Sequence, residues 1–227
     1  MTFAIGLLIF GLAVVWLFKK KQSDVRACAS ILRLVPAARE TVRKTTPEGF
    51  AATDILLLRG ELEGFPVTLW ERTVRHPLAT KWRRMGSQFT VLTFTLGSAV
   101  AGTLRLQPRG MLGALEVLIQ GRPDAVGISP DFDEAYTTYT SDERRARHAL
   151  TVELQHELLA FRARVAGPLT GSVAGQMASG LMLGTIAIEE GQASYVLFGS
   201  PAKAVADHLL VAAPLVRAVA TRFQSSP

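Results

Sequence analysis

Residues 54–73, DILLLRGELEGFPVTLWERT, decide the fold. Asp54 to Glu61 and Phe65 to Thr73 are apolar, β-prone runs, and Glu63-Gly64 between them suits a tight hairpin turn. Two runs joined so closely can only pair antiparallel. Gln88 to Leu96 (QFTVLTFTL) alternates threonine with large apolar residues and reads as another strand. Gly102 to Gln107 adds one more, and Leu115 to Ile119 is a short strand or a helical turn. Leu183 to Ile188 and Ala193 to Phe198 repeat the hairpin pattern around Glu190-Gly191.

Helices come after these strands rather than between every pair. Thr140 and Glu143 fit a capping box, and Ala146, Leu150, Leu154, Leu158 and Phe161 then mark one face of a helix ending near Val165. Ser200-Pro201 reads as the start of a closing helix, Ala202 to Phe223, bent near Pro214. The order predicts an α+β fold, a largely antiparallel sheet with two main helices. Residues 48–227, about 180 of them, suffice for one buried core.

The N-terminal region is of another kind. Thr2 to Phe18 (TFAIGLLIFGLAVVWLF) carries no charge, and Lys19, Lys20 and Lys21 follow at once. Such a helix spans roughly 25 Å of a hydrocarbon core of about 30 Å. The lysines reach the headgroups, and Trp16 stands where an interfacial aromatic belongs. Gly6 and Gly11 allow close helix packing within the bilayer. Residues 1–21 therefore read as one transmembrane anchor. Nothing basic precedes the apolar run, and Ala27-Cys28-Ala29 lies too far downstream for signal cleavage. Arg26, two before Cys28, breaks the lipoprotein pattern. Because basic residues stay on the cytoplasmic side, the N-terminus is expected outside a bacterial inner membrane and the domain in the cytoplasm.

The chain has 25 Lys and Arg against 19 Asp and Glu, a net charge of +6. Residues 19–46 hold eight of the basic groups and two acids, so the remainder is balanced at 17 of each. Positive charge gathered beside an anchor points to anionic lipid, with Lys19, Lys20, Lys21 and Arg26 as the contacts. Nucleic-acid binding would need a basic face on the domain itself. Arg72, Arg75, Lys81, Arg83 and Arg84 around Trp70 and Trp82 read instead as a solvated loop or a second headgroup contact. Residues 22–47 read as a basic juxtamembrane linker of helical tendency, with Val25, Cys28, Ile31, Leu32 and Val35 on one face and an interruption at Pro36.

No catalytic, cofactor or metal site is complete. Ser200-Pro-Ala-Lys203 has the S-x-x-K spacing without the other elements such enzymes require. Glu153-Leu-Gln-His156 is one copy of a di-iron motif that needs two. Asp131 to Asp142 has acids where a calcium loop has them, but Ala135 and Tyr136 stand in place of a ligand and a glycine. Gly175 and Gly180 have phosphate-loop spacing, with Leu181 where lysine is required. A single cysteine excludes an intrachain disulfide. Val165 to Ile188 has no charge, and its many glycines favour a loop leading into a strand over a second span.

Phe132-Asp133, Tyr139, Asp142, Arg147, Leu150-Thr151 and Leu158 together resemble a group of uncharacterised bacterial single-pass membrane-anchored proteins with a cytoplasmic α+β domain. The layout alone is also similar to that of the photosynthetic reaction-centre H subunit. The resemblance implies no activity. The anchor, the charge-balanced domain and the lack of a complete catalytic constellation lead to the expectation of a non-enzymatic accessory or scaffold subunit that binds an integral-membrane complex from its cytoplasmic face. The alternatives are a membrane-tethered enzyme, using Asp142, His148, Glu153 and His156, or a domain that binds lipid or a small ligand.

Overall fold

The computed structural model describes residues 19–45, 51–75, 87–97, 102–109, 125–166 and 183–226. Its ten strands are β1 (Val35–Pro36), β2 (Thr41–Thr45), β3 (Ala51–Leu62), β4 (Phe65–Arg75), β5 (Ser87–Thr95), β6 (Leu104–Pro108), β7 (Ala125–Val126), β8 (Tyr136–Thr140), β9 (Thr185–Glu189) and β10 (Gln192–Phe198). Five helices are described: α1 (19–32), α2 (Pro130–Ala135), α3 (Glu143–Ala149), α4 (Val152–Ala166) and α5 (Lys203–Ser225). The α+β class and the antiparallel sheet agree with the sequence reading. Five helices replace the two main ones expected.

The strands form one sheet in the order β1-β3-β4-β5-β10-β9-β6-β8-β7, with β2 following β1 along the same edge of β3. Every pairing is antiparallel. Both Glu-Gly turns are as expected. Glu63 and Gly64 have φ of 55° and 80°, and Glu190 and Gly191 of 50° and 77°. Two consecutive left-handed residues match the twist of the strands they join.

One face of the sheet carries the core. Leu58, Leu69, Leu92 and Tyr195 line it on successive strands, with Ile186 and Leu106 beyond them. Across this face lies α5, burying Ala206, Leu209, Ala213, Val216, Ala220 and Phe223 at three- and four-residue spacing. Its small alanines permit close approach to the sheet. Among the described residues α5 alone is long and apolar enough to cross a membrane, and its apolar character is here that of a core helix. Pro214 is exposed, so the Leu210 carbonyl it cannot satisfy lies on the solvent side.

A register shift between Leu56 and Leu58 changes which face β3 presents. Leu58 points into the core opposite Leu69, whereas Leu56 and Asp54 point to the other face, opposite Trp70 and Arg72. That face buries Ala52, Leu56, Val74 and Val91, together with Asp54, which Arg72 grips through two hydrogen bonds of 2.8 and 2.9 Å.

Three sequence expectations are corrected. The helical reading of residues 22–47 holds only to residue 32. Arg33 takes a left-handed φ of 53°, and the Leu34 N–H closes the helix on the Ala29 carbonyl at 3.0 Å. Pro36 then holds Val35 extended, and the chain continues as β1 and β2 instead of a linker. The helix expected from Thr140 starts later and is broken. Thr140 ends β8, Asp142 caps α3 by accepting from the Arg145 N–H at 3.0 Å, and the chain breaks at Leu150-Thr151 before α4. Ser200 does not cap α5. Ala202 holds the cap position, while the Ser200 hydroxyl bonds Gln88. The acidic stretch at Asp131 forms α2, where Asp133 accepts the Ile128 N–H. Residues 2–18, 115–119 and 167–182 lie outside the described residues, so the anchor and the glycine-rich stretch are untouched by these comparisons.

Candidate functional site

The junction between α1 and the rest of the domain is built from three contacts of different kinds. Val25, Cys28 and Leu32 recur at three and four along α1, and Cys28 and Leu32 are fully buried. Near the first of its described residues, the Lys21 ammonium donates to Glu71 Oε2 at 2.6 Å. At its middle, Cys28 Sγ donates to the Ala202 carbonyl at 3.3 Å, tying α1 to the beginning of α5. Just past its end, buried Leu34 lies against Gly60, whose missing side chain leaves the space. These three contacts run from the Glu71 level of the sheet to the Gly60 level. They fix both the position and the direction of α1.

Glu71 is the unusual member. It shares its face of β4 with Val67 and Leu69 and is only 3 % exposed. Its Oε1 makes no hydrogen bond among the described residues. A buried carboxylate held by one lysine is costly to leave unpaired. Burial also pushes the Cys28 thiol up to about 11, with Asp24 adding to the rise. Cys28 is therefore a packed, protonated side chain and no nucleophile.

Of the residues read as lipid contacts, Lys19, Lys20 and Arg26 are exposed on α1. Lys21 remains half exposed while it holds Glu71. Trp16, Gly6 and Gly11 lie outside the described residues. The linker reading missed Glu71, although a charge at the buried parity of a strand was a visible signal.

A second buried polar group lies deeper. The Gly184 N–H donates to the Tyr195 hydroxyl at 2.8 Å, and that hydroxyl meets His208 Nε2 at 2.7 Å. Burial pushes the Tyr195 pKa up and the His208 pKa down, so both are neutral, and the His208 tautomer sets which of the two donates. The His208 ring stacks near Tyr195 and tilts against Phe161. Nearby, Tyr136, pushed up to about 12 by burial, donates to the Leu158 carbonyl at 3.2 Å. This group ties β8, β10, α4, α5 and the residue preceding β9 together. Its hydrogen bonds are internal.

The residues considered for catalysis do not share an enclosed site. Asp142 is used as a helix cap. His148, Glu153 and His156 are exposed on α3 and α4. Hydrogen bonds from Thr151 and its own backbone N–H lower the Glu153 pKa, as expected near a helix start. Among the described residues no group of three or more His, Cys, Asp or Glu side chains is placed to hold a metal.

Neither family models nor curated protein sequences match the chain. Its fold is similar to that of a transport factor. The crystal structure of the mycobacterial trehalose monomycolate transport factor A, TtfA, aligns over 90 % of this chain and 96 % of its own, with a TM-score of 0.50. Sequence identity is 11 %. The likeness is one of fold.

Proposed function

We propose that this chain is a non-enzymatic accessory subunit, anchored in the bacterial inner membrane by residues 1–21. Its N-terminus faces outside, and the α+β domain binds an integral-membrane protein complex from the cytoplasmic side. The observation that carries the reading is the docking of α1. The helix that follows the apolar segment is part of the core, held by Lys21–Glu71 and by buried Cys28 and Leu32. A tethered enzyme gains from a flexible linker that lets it search for substrate. A subunit that braces a membrane complex gains from a rigid joint at fixed height. The name of the fold neighbour, a transport factor, is compatible with service to a membrane transport system.

The test is affinity purification of the full chain in mild detergent, with partners identified by mass spectrometry. A parallel sample lacks residues 2–18 but keeps Lys19 onward. The expected result is a stoichiometric integral-membrane partner retained by the full chain and diminished without the apolar segment. A full chain that purifies alone and monomeric would end this reading.

A further inference from the structure

We propose that the end of the sheet from which α1 begins is itself a seat on an anionic bilayer, formed by Lys19, Lys20, Arg43, Arg75, Lys203 and Phe198. The proposal rests on the anchor reading above and adds the domain's orientation.

Strand register identifies the surface. Glu71, which holds Lys21, pairs across with Thr90, and Thr90 with Leu197. Beyond that level lie the last residues of β4 and β10 and the first of β5. Arg43 pairs with Thr53, which faces Thr73, and Arg75 closes β4, so both side chains belong to this end. Ser200 bonds Gln88 here too, bringing the first residue of α5, Lys203, to the same end. All five basic residues are exposed. Lys21 and Arg72, also here, are paired with Glu71 and Asp54. Among the described residues the exposed acids near this group are Asp207, one turn into α5, and Glu40, which precedes β2 beside exposed Arg39, with Asp24 partly buried on α1.

The surface has an apolar point as well. Phe198 is 43 % exposed at the end of β10, and its ring stands edge-on to Phe89 at 5.5 Å. A supported aromatic ring among basic side chains has the composition of an interfacial contact.

The opposite end differs. It is built from the two Glu-Gly turns, where Glu61, Glu63, Glu189 and Glu190 offset Arg33, Arg59 and Arg217. On the β8 side of the sheet, Arg109 and Arg164 are mixed with Asp131 and Glu134, and that side is not part of the seat. Among the described residues positive charge is thus in excess at the end where Lys19 lies, and Lys19 follows an uncharged apolar stretch ending at Phe18. A bilayer that holds that stretch lies next to this end, and the attraction of basic side chains to anionic lipid draws it in. The strands then stand upright on the membrane, with the Glu-Gly turns pointing away.

The experiment uses the full chain carrying Cys28→Ala, with a nitroxide at Phe198→Cys or, separately, at Glu190→Cys. Each is reconstituted into phosphatidylcholine vesicles with and without phosphatidylglycerol. The measurement is collision with a water-soluble nickel chelate by electron paramagnetic resonance. The expected result is several-fold shielding at position 198 relative to 190, present only with phosphatidylglycerol and lost at high salt. Arg43→Gln, Arg75→Gln and Lys203→Gln together should shift the seated-to-lifted ratio by about a hundredfold and abolish the shielding. Equal exposure at 198 and 190, in protein that still floats with the vesicles, overturns the seat while leaving the anchor intact. Shielding that survives the triple substitution overturns it too. Protein that no longer floats with vesicles defeats the anchor reading, and the seat with it.

Discussion

Lys21 and Glu71, 50 positions apart in sequence, meet at 2.6 Å and join α1 to β4. The pair is asymmetric, since the lysine side chain is 51 % exposed and the glutamate side chain 4 %. Removing the lysine strands a buried charge, whereas neutralising the glutamate does not. Lys21→Met should cost about 1–2 kcal/mol, below the usual figure for a broken buried pair because water reaches the ammonium. Glu71→Gln should cost less, and Lys21→Met added to it should cost almost nothing further. Urea unfolding of the four proteins checks this, and additive losses would show that the pair is not coupled.

Cys28 reports whether α1 is docked. With its pKa raised to about 11 and its side chain fully buried, it should react with a thiol reagent at pH 8 far more slowly than in unfolded protein. Lys21→Met should accelerate the reaction. Labelling at the unfolded rate in the native protein would mean that α1 is not held against the sheet.

Gly184 leaves room for a ring. A Cβ there would lie 2.4 Å from Tyr195 Cζ and 2.6 Å from Cε1, and the ring is backed by His208 and cannot swing aside. Gly184→Ala should therefore destabilise by about 2–4 kcal/mol in thermal or urea unfolding. Gly60→Ala is the contrast. Its new methyl meets only the tip of Leu34 at 2.9 Å, which can shift, so the loss should be markedly smaller.

The buried His208 gives a pH dependence of definite sign. Its folded pKa is depressed by desolvation, so the unfolded chain binds more protons as pH falls below about 6.5. Stability should be level above that pH and fall as pH drops towards the folded pKa. The slope in urea midpoint between pH 7.5 and 5.5 should be reduced in His208→Gln. An unchanged slope would assign the acid sensitivity to other groups.

Glu190 occupies the first left-handed position of its turn, with φ of 50° and an exposed side chain. Asparagine tolerates that conformation better. Glu190→Asn should raise stability by about 0.5–1 kcal/mol. A loss would indicate that the carboxylate makes a favourable contact.

Both hairpins were legible because two signals coincide in each, β-prone runs and a Glu-Gly pair able to turn tightly. The break at Leu150-Thr151 was not, since Ala146, Leu150 and Leu154 continue one helical face across it. Thr140 mimicked a cap two residues before Asp142, the residue that forms it. At the candidate site, the stripe of Val25, Cys28 and Leu32 showed that α1 has an apolar side. A stripe of that kind suits a bilayer surface and a sheet equally well. The choice depends on Glu71, and no local pattern links a lysine to a glutamate so distant. Phe198 was likewise read as the end of a strand. Its role emerges only once the register places it level with Arg72 and beside Phe89.

The fusion of α1 with the core leaves this protein without a swivel. Between Lys19 and Leu32 there is neither glycine nor proline, and this stretch is held through Lys21, Cys28 and, just beyond it, Leu34. Any tilt or rotation imposed on the chain at Lys19 turns the whole sheet with it, Glu-Gly turns included. A small change in the angle of α1 therefore becomes a larger displacement at the Glu-Gly turns, with the sheet acting as a rigid lever.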